Sequence, residues 1–287
     1  MNAEGMRIMN RVQDKVALIT GAARGQGRSH AKRLAEEGAD IVAVDICKDI
    51  DGLGYPMGSP QELEETVRLV EDEDRRILAR EADVRDAAAL ERIVEEAYAE
   101  FGHIDVVCAN AGIIDGVPRT WEITEEMWDT QVDVMMKGVW NTVKAVVPRM
   151  IEAGRGGSII ITSSLLGLKG AAHTAAYSAA KHGNVGMAQS LAHEVAEYGI
   201  RVNTIHPTSV DTDIIQKNEP MQRLFRADLG RLPTREEFGE ACATMNILPI
   251  PWVEARDISN AVLFLASDES RYITGLRMSV DAGALIK

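Results

Sequence analysis

Lys15-Val-Ala-Leu-Ile-Thr-Gly-Ala-Ala-Arg-Gly-Gln-Gly27 is the stretch that decides how the rest of the chain reads. Val16 to Ile19 is an apolar run long enough for one buried strand and too short for a helix. Glycines follow at positions 21, 25 and 27, and Arg28-Ser-His-Ala-Lys-Arg-Leu-Ala-Glu-Glu37 then reads as a helix. Strand, glycine turn and helix come in the order that holds a diphosphate. Glycine lets the main chain turn tightly and approach phosphate, and the helix start offers free N–H groups and the positive end of a dipole. Taken alone, the same three glycines also suit an ordinary strand-to-helix turn.

Outward from this stretch, strands alternate with helices. Ala39 to Asp45 is a second strand closed by an acid. At that position a carboxylate accepts hydrogen bonds from adenosine ribose hydroxyls and repels the extra phosphate of NADP, so Asp45 favours NAD. It also suits a plain strand end, and Arg24 pulls weakly toward NADP. Residues 46–58 make a loop longer than such connections usually are, placed to fold over the adenosine end of a dinucleotide or to be a surface insertion. Ser59-Pro-Gln-Glu62 then opens a helix with a capping box.

Further strands are expected over 76–84, 104–109, 156–162, 201–205 and 276–280, with helices over 87–101, 125–152, 175–197 and 257–267. The fold class is therefore α/β: a doubly wound, seven-stranded parallel sheet of Rossmann type flanked by helices, in a single domain over 15–287 after an extension at 1–14. Residues 207–250 are irregular in pattern and are a candidate lid over a substrate.

The chain has 287 residues, 46% hydrophobic and 26% charged, as a soluble globular protein has. Its net charge of −13 argues against a nucleic-acid partner, which calls for clustered Lys and Arg. The cysteines Cys47, Cys108 and Cys242 are widely spaced, which fits a reducing cytoplasm without disulfides. Neither they nor the six histidines have metal-site spacing, so no metal is expected. No window approaches the length of a membrane span, and the start lacks the apolar core of a signal peptide.

Tyr177-Ser-Ala-Ala-Lys181 puts a phenol and an ammonium on one helix face. Tyrosine ordinarily titrates near ~10, and a nearby cation lowers that value toward useful acid–base chemistry. Ser164 precedes them at the carboxyl end of the fifth strand, where ligands sit in such sheets. Alone, Tyr-x-x-x-Lys is a common surface pair. With Ser164 and the glycine turn it is far more specific.

The sequence resembles the short-chain dehydrogenase/reductase family from about Lys15 to Gly283. The matching pieces are Thr20 to Gly27, Asp83-Val84, Asn110-Ala-Gly112, Ser164, Tyr177-x-x-x-Lys181, His206-Pro207, and Ile273-Thr-Gly275 with Val280-Asp-Ala-Gly283. The resemblance implies that Tyr177 is the catalytic acid/base, that Ser164 bonds the substrate oxygen beside Leu165, and that Lys181 binds the nicotinamide ribose and depresses the tyrosine. Cofactor contacts are implied along Gly21, Arg24, Gly25, Gln26 and Gly27, and at Asp45 and Ile46. They are also implied at Asp83 and Val84 beside the adenine, at Asn110, Ala111 and Gly112, and at Pro207, Thr208, Val210 and Thr212.

The long loop and Ile205-His-Pro-Thr-Ser-Val-Asp-Thr212 look like the mycofactocin-coupled, carveol-dehydrogenase-like branch. That implies tightly held NAD, a mycofactocin-type redox partner, a homotetramer and a small apolar or terpenoid alcohol/ketone substrate. Leu166, Leu168, Trp121, Met221, Phe225 and Met245 join Leu165 as residues that either face such a substrate or pack the lid. An NADPH-dependent carbonyl reductase and a silent NAD-binding sensor are the alternatives. One position departs from the family: Met135 stands where an asparagine holds a proton-relay water, so a working but slowed relay is expected, improved by Met135→Asn.

Overall fold

A computed structural model describes residues 10–114 and 118–287. Seven parallel strands form one sheet in the order β3-β2-β1-β4-β5-β6-β7. They are β1 Val16–Thr20, β2 Asp40–Asp45, β3 Ile77–Glu81, β4 Val106–Ala109, β5 Gly157–Thr162, β6 Ile200–Pro207 and β7 Arg277–Val280. β1, β2 and β4 are buried along their whole length. Parallel strands with helices on both faces have no wet side, which is why these segments read as continuous apolar runs.

One face packs α3 (Ala87–Phe101), α5 (Gly138–Ala153) and α6 (Ala175–Val195) through Leu90, Ile93, Val143, Val146 and Leu191. The other packs α1 (Gly25–Ala35), α2 (Pro60–Glu71) and α10 (Ala255–Ala266) through Ala31, Leu34, Leu63, Val70, Ile258 and Val262. The chain winds one way from β1 to β3 and the other way from β4 to β7. That reversal opens a crevice between the carboxyl ends of β1 and β4, where ligands bind in such sheets.

Several boundaries differ from expectation. The third strand stops at Glu81, because Asp83 and Val84 turn away to start α3: Asp86 N–H bonds the Asp83 carbonyl and the Asp86 carboxylate caps Ala89. The helix expected over 125–152 is three pieces: α4 (Glu125–Val132), a π-helical turn (Asp133–Lys137) and α5. Gly138 N–H reaches back to the Asp133 carbonyl, the wide bond that defines such a turn. Residues 207–250 are not irregular. They hold α7 (Asp213–Gln216), α8 (Glu219–Phe225) and α9 (Arg235–Ala243), the last two capped by Asn218 and Thr234.

At the start, residues 1–9 lie outside the described residues. Arg11 to Asp14 pack onto the domain, with Val12 fully buried and bonded to the Glu37 carbonyl.

Candidate active site

The glycine turn is built for close approach. Gly21 has φ +70°, and a Cβ on it would lie 2.9 Å from Ala111 Cα. A Cβ on Gly27 would lie 1.9 Å from the Gly21 carbonyl oxygen, so only glycine lets α1 start against β1. Arg24 occupies the N-cap of α1 without a side-chain cap, leaving the first N–H groups of the helix to a ligand.

Thr20 Oγ1 accepts from Asn110 N–H at 3.0 Å and Ala111 N–H at 3.1 Å, and Asn110 Nδ2 donates to the Thr20 carbonyl at 3.0 Å. The two sides of the crevice are thus held at fixed width.

Asp45 is buried at the end of β2, where its carboxylate accepts from Ala23 N–H at 2.9 Å and Cys47 N–H at 3.1 Å. Arg24 is engaged elsewhere than the sequence suggests. Its guanidinium pairs with Asp213 at 2.9 Å and donates to the Pro56 carbonyl, tying the glycine turn to α7 and to the 46–58 loop. That loop lines the crevice with Ile46, Ile50, Tyr55, Met57 and Gly58, and Tyr55 Oη accepts from Ile114 N–H at 3.1 Å. Burial pulls the Asp83 carboxyl upward, but hydrogen bonds from Arg85 outweigh it and hold the group below the usual carboxylate range.

The chemistry-bearing side chains meet where β5 and α6 run together. Ser163 Oγ donates to the Lys181 carbonyl at 2.9 Å, and Lys181 Nζ donates to the Thr162 carbonyl at 2.8 Å. This reciprocal pair fixes which face of α6 looks into the crevice. Ser164 is hydrogen-bonded to Tyr177, and its Oγ accepts from Leu166 N–H at 3.1 Å. His206, fully buried on β6, donates from Nδ1 to the Ser164 carbonyl at 2.8 Å. Its Nε2 lies 2.7 Å from Thr204 Oγ1. A carbonyl only accepts, so Nδ1 carries the proton, and burial keeps the ring neutral by lowering its pKa.

Lys181 Nζ lies 5.7 Å from the Tyr177 ring centroid. Burial drives the Lys181 pKa down to about 8 and raises that of Tyr177, the Ser164 bond pulling the phenol back in part. Among the protein's own groups desolvation is the largest effect on Tyr177, so its net shift is upward, opposite to the lowered value expected from the sequence.

Two grooves share Gln26, Asn110, Gly112, Ile113, Thr212 and Ile214 as a common wall. One, about 870 Å³, runs from Asp45 along the glycine turn; the other, about 540 Å³, holds Ser164, Tyr177 and Lys181. Every cofactor position expected from the sequence lines one or both. Leu165, expected on the substrate side, lines neither groove and is buried. Leu166, Leu168, Met221, Phe225 and Met245 are absent from the lining too, Phe225 meeting Phe238 edge to face at 5.6 Å, while Trp121 is 76% exposed. The apolar wall near Tyr177 is Ile113, Val210, Ile214 and Ile215 instead. Ile214 and Ile215 escape the sequence pattern because they lie on α7, a helix too short to show periodicity.

Met135 is fully buried in the π-helical turn, and its carbonyl accepts from Asn184 Nδ2 at 2.9 Å. Asn141 has a separate duty, donating to the Val84 carbonyl at 2.9 Å. Among the described residues, no group of three or more His, Cys, Asp or Glu is placed to hold a metal ion.

The model of the short chain dehydrogenase family matches residues 15–223. The (-)-trans-carveol dehydrogenase of Rhodococcus erythropolis is 50% identical over 279 residues, covering 97% of this chain and 100% of that protein. The crystal structure of carveol dehydrogenase from Mycobacterium avium in complex with NAD superposes with a TM-score of 0.95 at 49% identity, over 97% of this chain and 100% of the other. An NAD-bound short chain dehydrogenase from Mycobacterium paratuberculosis gives 0.88 at 40% identity, over 96% and 100%. The glycine cradle, the Ser164–Tyr177–Lys181 arrangement and these likenesses agree, and the chain belongs to the short chain dehydrogenase family.

Proposed function

We propose that this chain is an NAD(H)-dependent dehydrogenase interconverting a secondary alcohol and a ketone, with a small apolar or terpenoid alcohol such as carveol as substrate. One observation carries this reading. Tyr177 bonds to Ser164 with the buried Lys181 on the same helix face, in a groove that continues into the glycine cradle.

The residues present fit a dinucleotide. The start of α1 has no side-chain cap and lines the groove, and the buried amide oxygen of Gln26 has no partner on the wall between the two grooves. Asp45 and Ile46 stand at the adenosine end, and Pro207, Thr208, Val210 and Thr212 at the other. The bound nicotinamide supplies the acceptor or donor of a hydride.

In the oxidising direction Tyr177, as phenolate, takes the hydroxyl proton. Ser164 donates to the substrate oxygen and steadies the charge that develops there. Lys181 holds a positive charge close enough to favour the phenolate, offsetting part of the burial that opposes it. Ile113, Val210, Ile214 and Ile215 give the substrate side an apolar wall suited to a hydrocarbon ring. The carveol dehydrogenases of Rhodococcus erythropolis and Mycobacterium avium support that choice.

The reading extends to slow exchange of NAD and a mycofactocin-type redox partner. The 46–58 loop along the cofactor groove and the Arg24 tie support slow exchange. A homotetramer built through α4, α5 and α6 is supported by the indoles of Trp128 and Trp140, 41% and 47% exposed on α4 and α5. A cytoplasmic setting suits three buried free cysteines, and no helix among the described residues is long and apolar enough to cross a membrane.

NADPH is disfavoured: Asp45 repels its phosphate, and Arg24 is already paired with Asp213. Mass spectrometry of the nucleotide that copurifies, followed by single-turnover assay on a panel of alcohols, tests the reading. NAD together with oxidation of carveol or a similar cyclic alcohol is expected. NADP as the bound nucleotide, or no alcohol oxidised, would overturn it.

A further inference from the structure

Asn184 sits inside α6, one turn after Lys181, and is completely buried. Its Nδ2 donates to the Met135 carbonyl, while its Oδ1 has no hydrogen-bond partner. Exchanging the two atoms would set the amide oxygen against that carbonyl, so the orientation is fixed by its own bond. Gln131, on α4 one turn before Met135, also has a buried amide oxygen without a partner. Each is a polar group left dry in a packed interior, on two helices that pack together, and such groups call for an explanation.

The surroundings say what these acceptors face. The α4 segment and the π-helical turn pack along α6. A helical side chain covers the turn before its own Cα, so the Asn184 amide lies over the turn that carries Lys181. A Cβ on Gly112 would lie 3.4 Å from Lys181 Nζ and 3.8 Å from Met135 Cγ, so the ammonium and the Met135 side chain both come close to one point. Met135 offers no side-chain group that holds a water by two bonds, and Asn184 Nδ2 already occupies one of the two lone pairs of its carbonyl.

We propose that Asn184, with Gln131, holds a water that carries the proton between Lys181 and solvent, a task that the thioether side chain of Met135 cannot perform. A water donates two hydrogen bonds, which satisfies both orphan oxygens, and its lone pairs remain open to the Lys181 ammonium. This rests on the dehydrogenase reading. When an alcohol is oxidised, its hydroxyl proton goes to Tyr177 and a proton leaves for solvent by way of Lys181 and this water; reduction runs the path backward. Asn184 is thus a positioning residue that acts through the water.

Two measurements test it. A high-resolution crystal structure of the full chain should place an ordered water within hydrogen-bond distance of both Asn184 Oδ1 and Gln131 Oε1. A site without that water overturns the proposal whatever the enzyme's activity. In single turnover on carveol, Asn184→Val should slow proton-coupled oxidation about tenfold and change its solvent deuterium isotope effect. Adding Met135→Asn to Asn184→Val should recover most of the rate. A rate and isotope effect unchanged in Asn184→Val, or a loss that Met135→Asn does not recover, assigns Asn184 to packing alone. If the wild-type chain oxidises no alcohol, the dehydrogenase reading fails, and the water site is still decided by the crystal structure.

Discussion

The imidazole of His206 donates from Nδ1 to the main-chain carbonyl of Ser164 at 2.8 Å. This buried bond runs from β6 to the residue whose hydroxyl bonds Tyr177, so it sets the height at which Ser164 stands in the groove. Its other nitrogen is held by Thr204.

His206→Phe keeps the ring's bulk and removes both bonds. It leaves the Ser164 carbonyl and the Thr204 hydroxyl without this partner, which should cost about 1–3 kcal/mol in stability. kcat should fall about tenfold or more, because misplacement of a positioning group by an ångström weakens its donors. KM for the alcohol should change little. A denaturation midpoint and steady-state kinetics check this; an unchanged kcat would show that Ser164 is held by its own strand alone.

Arg24 joins three parts of the cofactor groove, through Asp213 on α7, the Pro56 carbonyl and its own place in the glycine turn. The pair is partly shielded, so it is stronger than an open surface bridge. Arg24→Ala should speed release of NADH about tenfold, the effect of losing roughly 1.4 kcal/mol of holding energy. Stopped-flow fluorescence measures it directly. Release at the wild-type rate would show that the 46–58 loop does not depend on this tie.

Lys181 gives the nucleotide-free protein a pH signature. Burial lowers its pKa from 10.5 to about 8, so between those values the unfolded chain keeps a proton that the folded chain has shed. This contribution makes folding stability rise with pH across that window, by up to about 1.4 kcal/mol per unit. Below pH 8 the cost of burying the charge is felt in full. Tyr177, raised by burial, works in the opposite sense only above its ordinary value of 10. Lys181→Met should therefore be more stable than wild type near pH 7, and the gain should shrink as pH rises from 8 toward 10. Urea midpoints across that range check it, and a gain that does not vary with pH would contradict it.

Much of this was legible in the sequence, for physical reasons that differ from place to place. Buried parallel strands such as Ile159 to Ile161 announce themselves by continuous apolarity, and the glycines by close approaches that admit nothing larger. The π-helical turn at Asp133–Lys137 was not legible, since a wider hydrogen bond leaves no mark on residue spacing. Helices as short as α7 escaped for want of a full period, and the apolar wall of Ile214 and Ile215 went with them. Leu165 is buried and absent from the groove lining, because proximity in sequence to Ser164 does not decide which way a side chain turns. The raised Tyr177 pKa also escaped, because desolvation depends on how deeply the groove is covered.

The central claim is that the Tyr177 hydroxyl carries the proton of the alcohol. Single-turnover oxidation of carveol by Tyr177→Phe, with bound nucleotide quantified in the same sample, tests it most directly. The hydride-transfer rate should fall by at least about a hundredfold while NAD stays bound. A variant that oxidises the alcohol within a few-fold of the wild-type rate would contradict it.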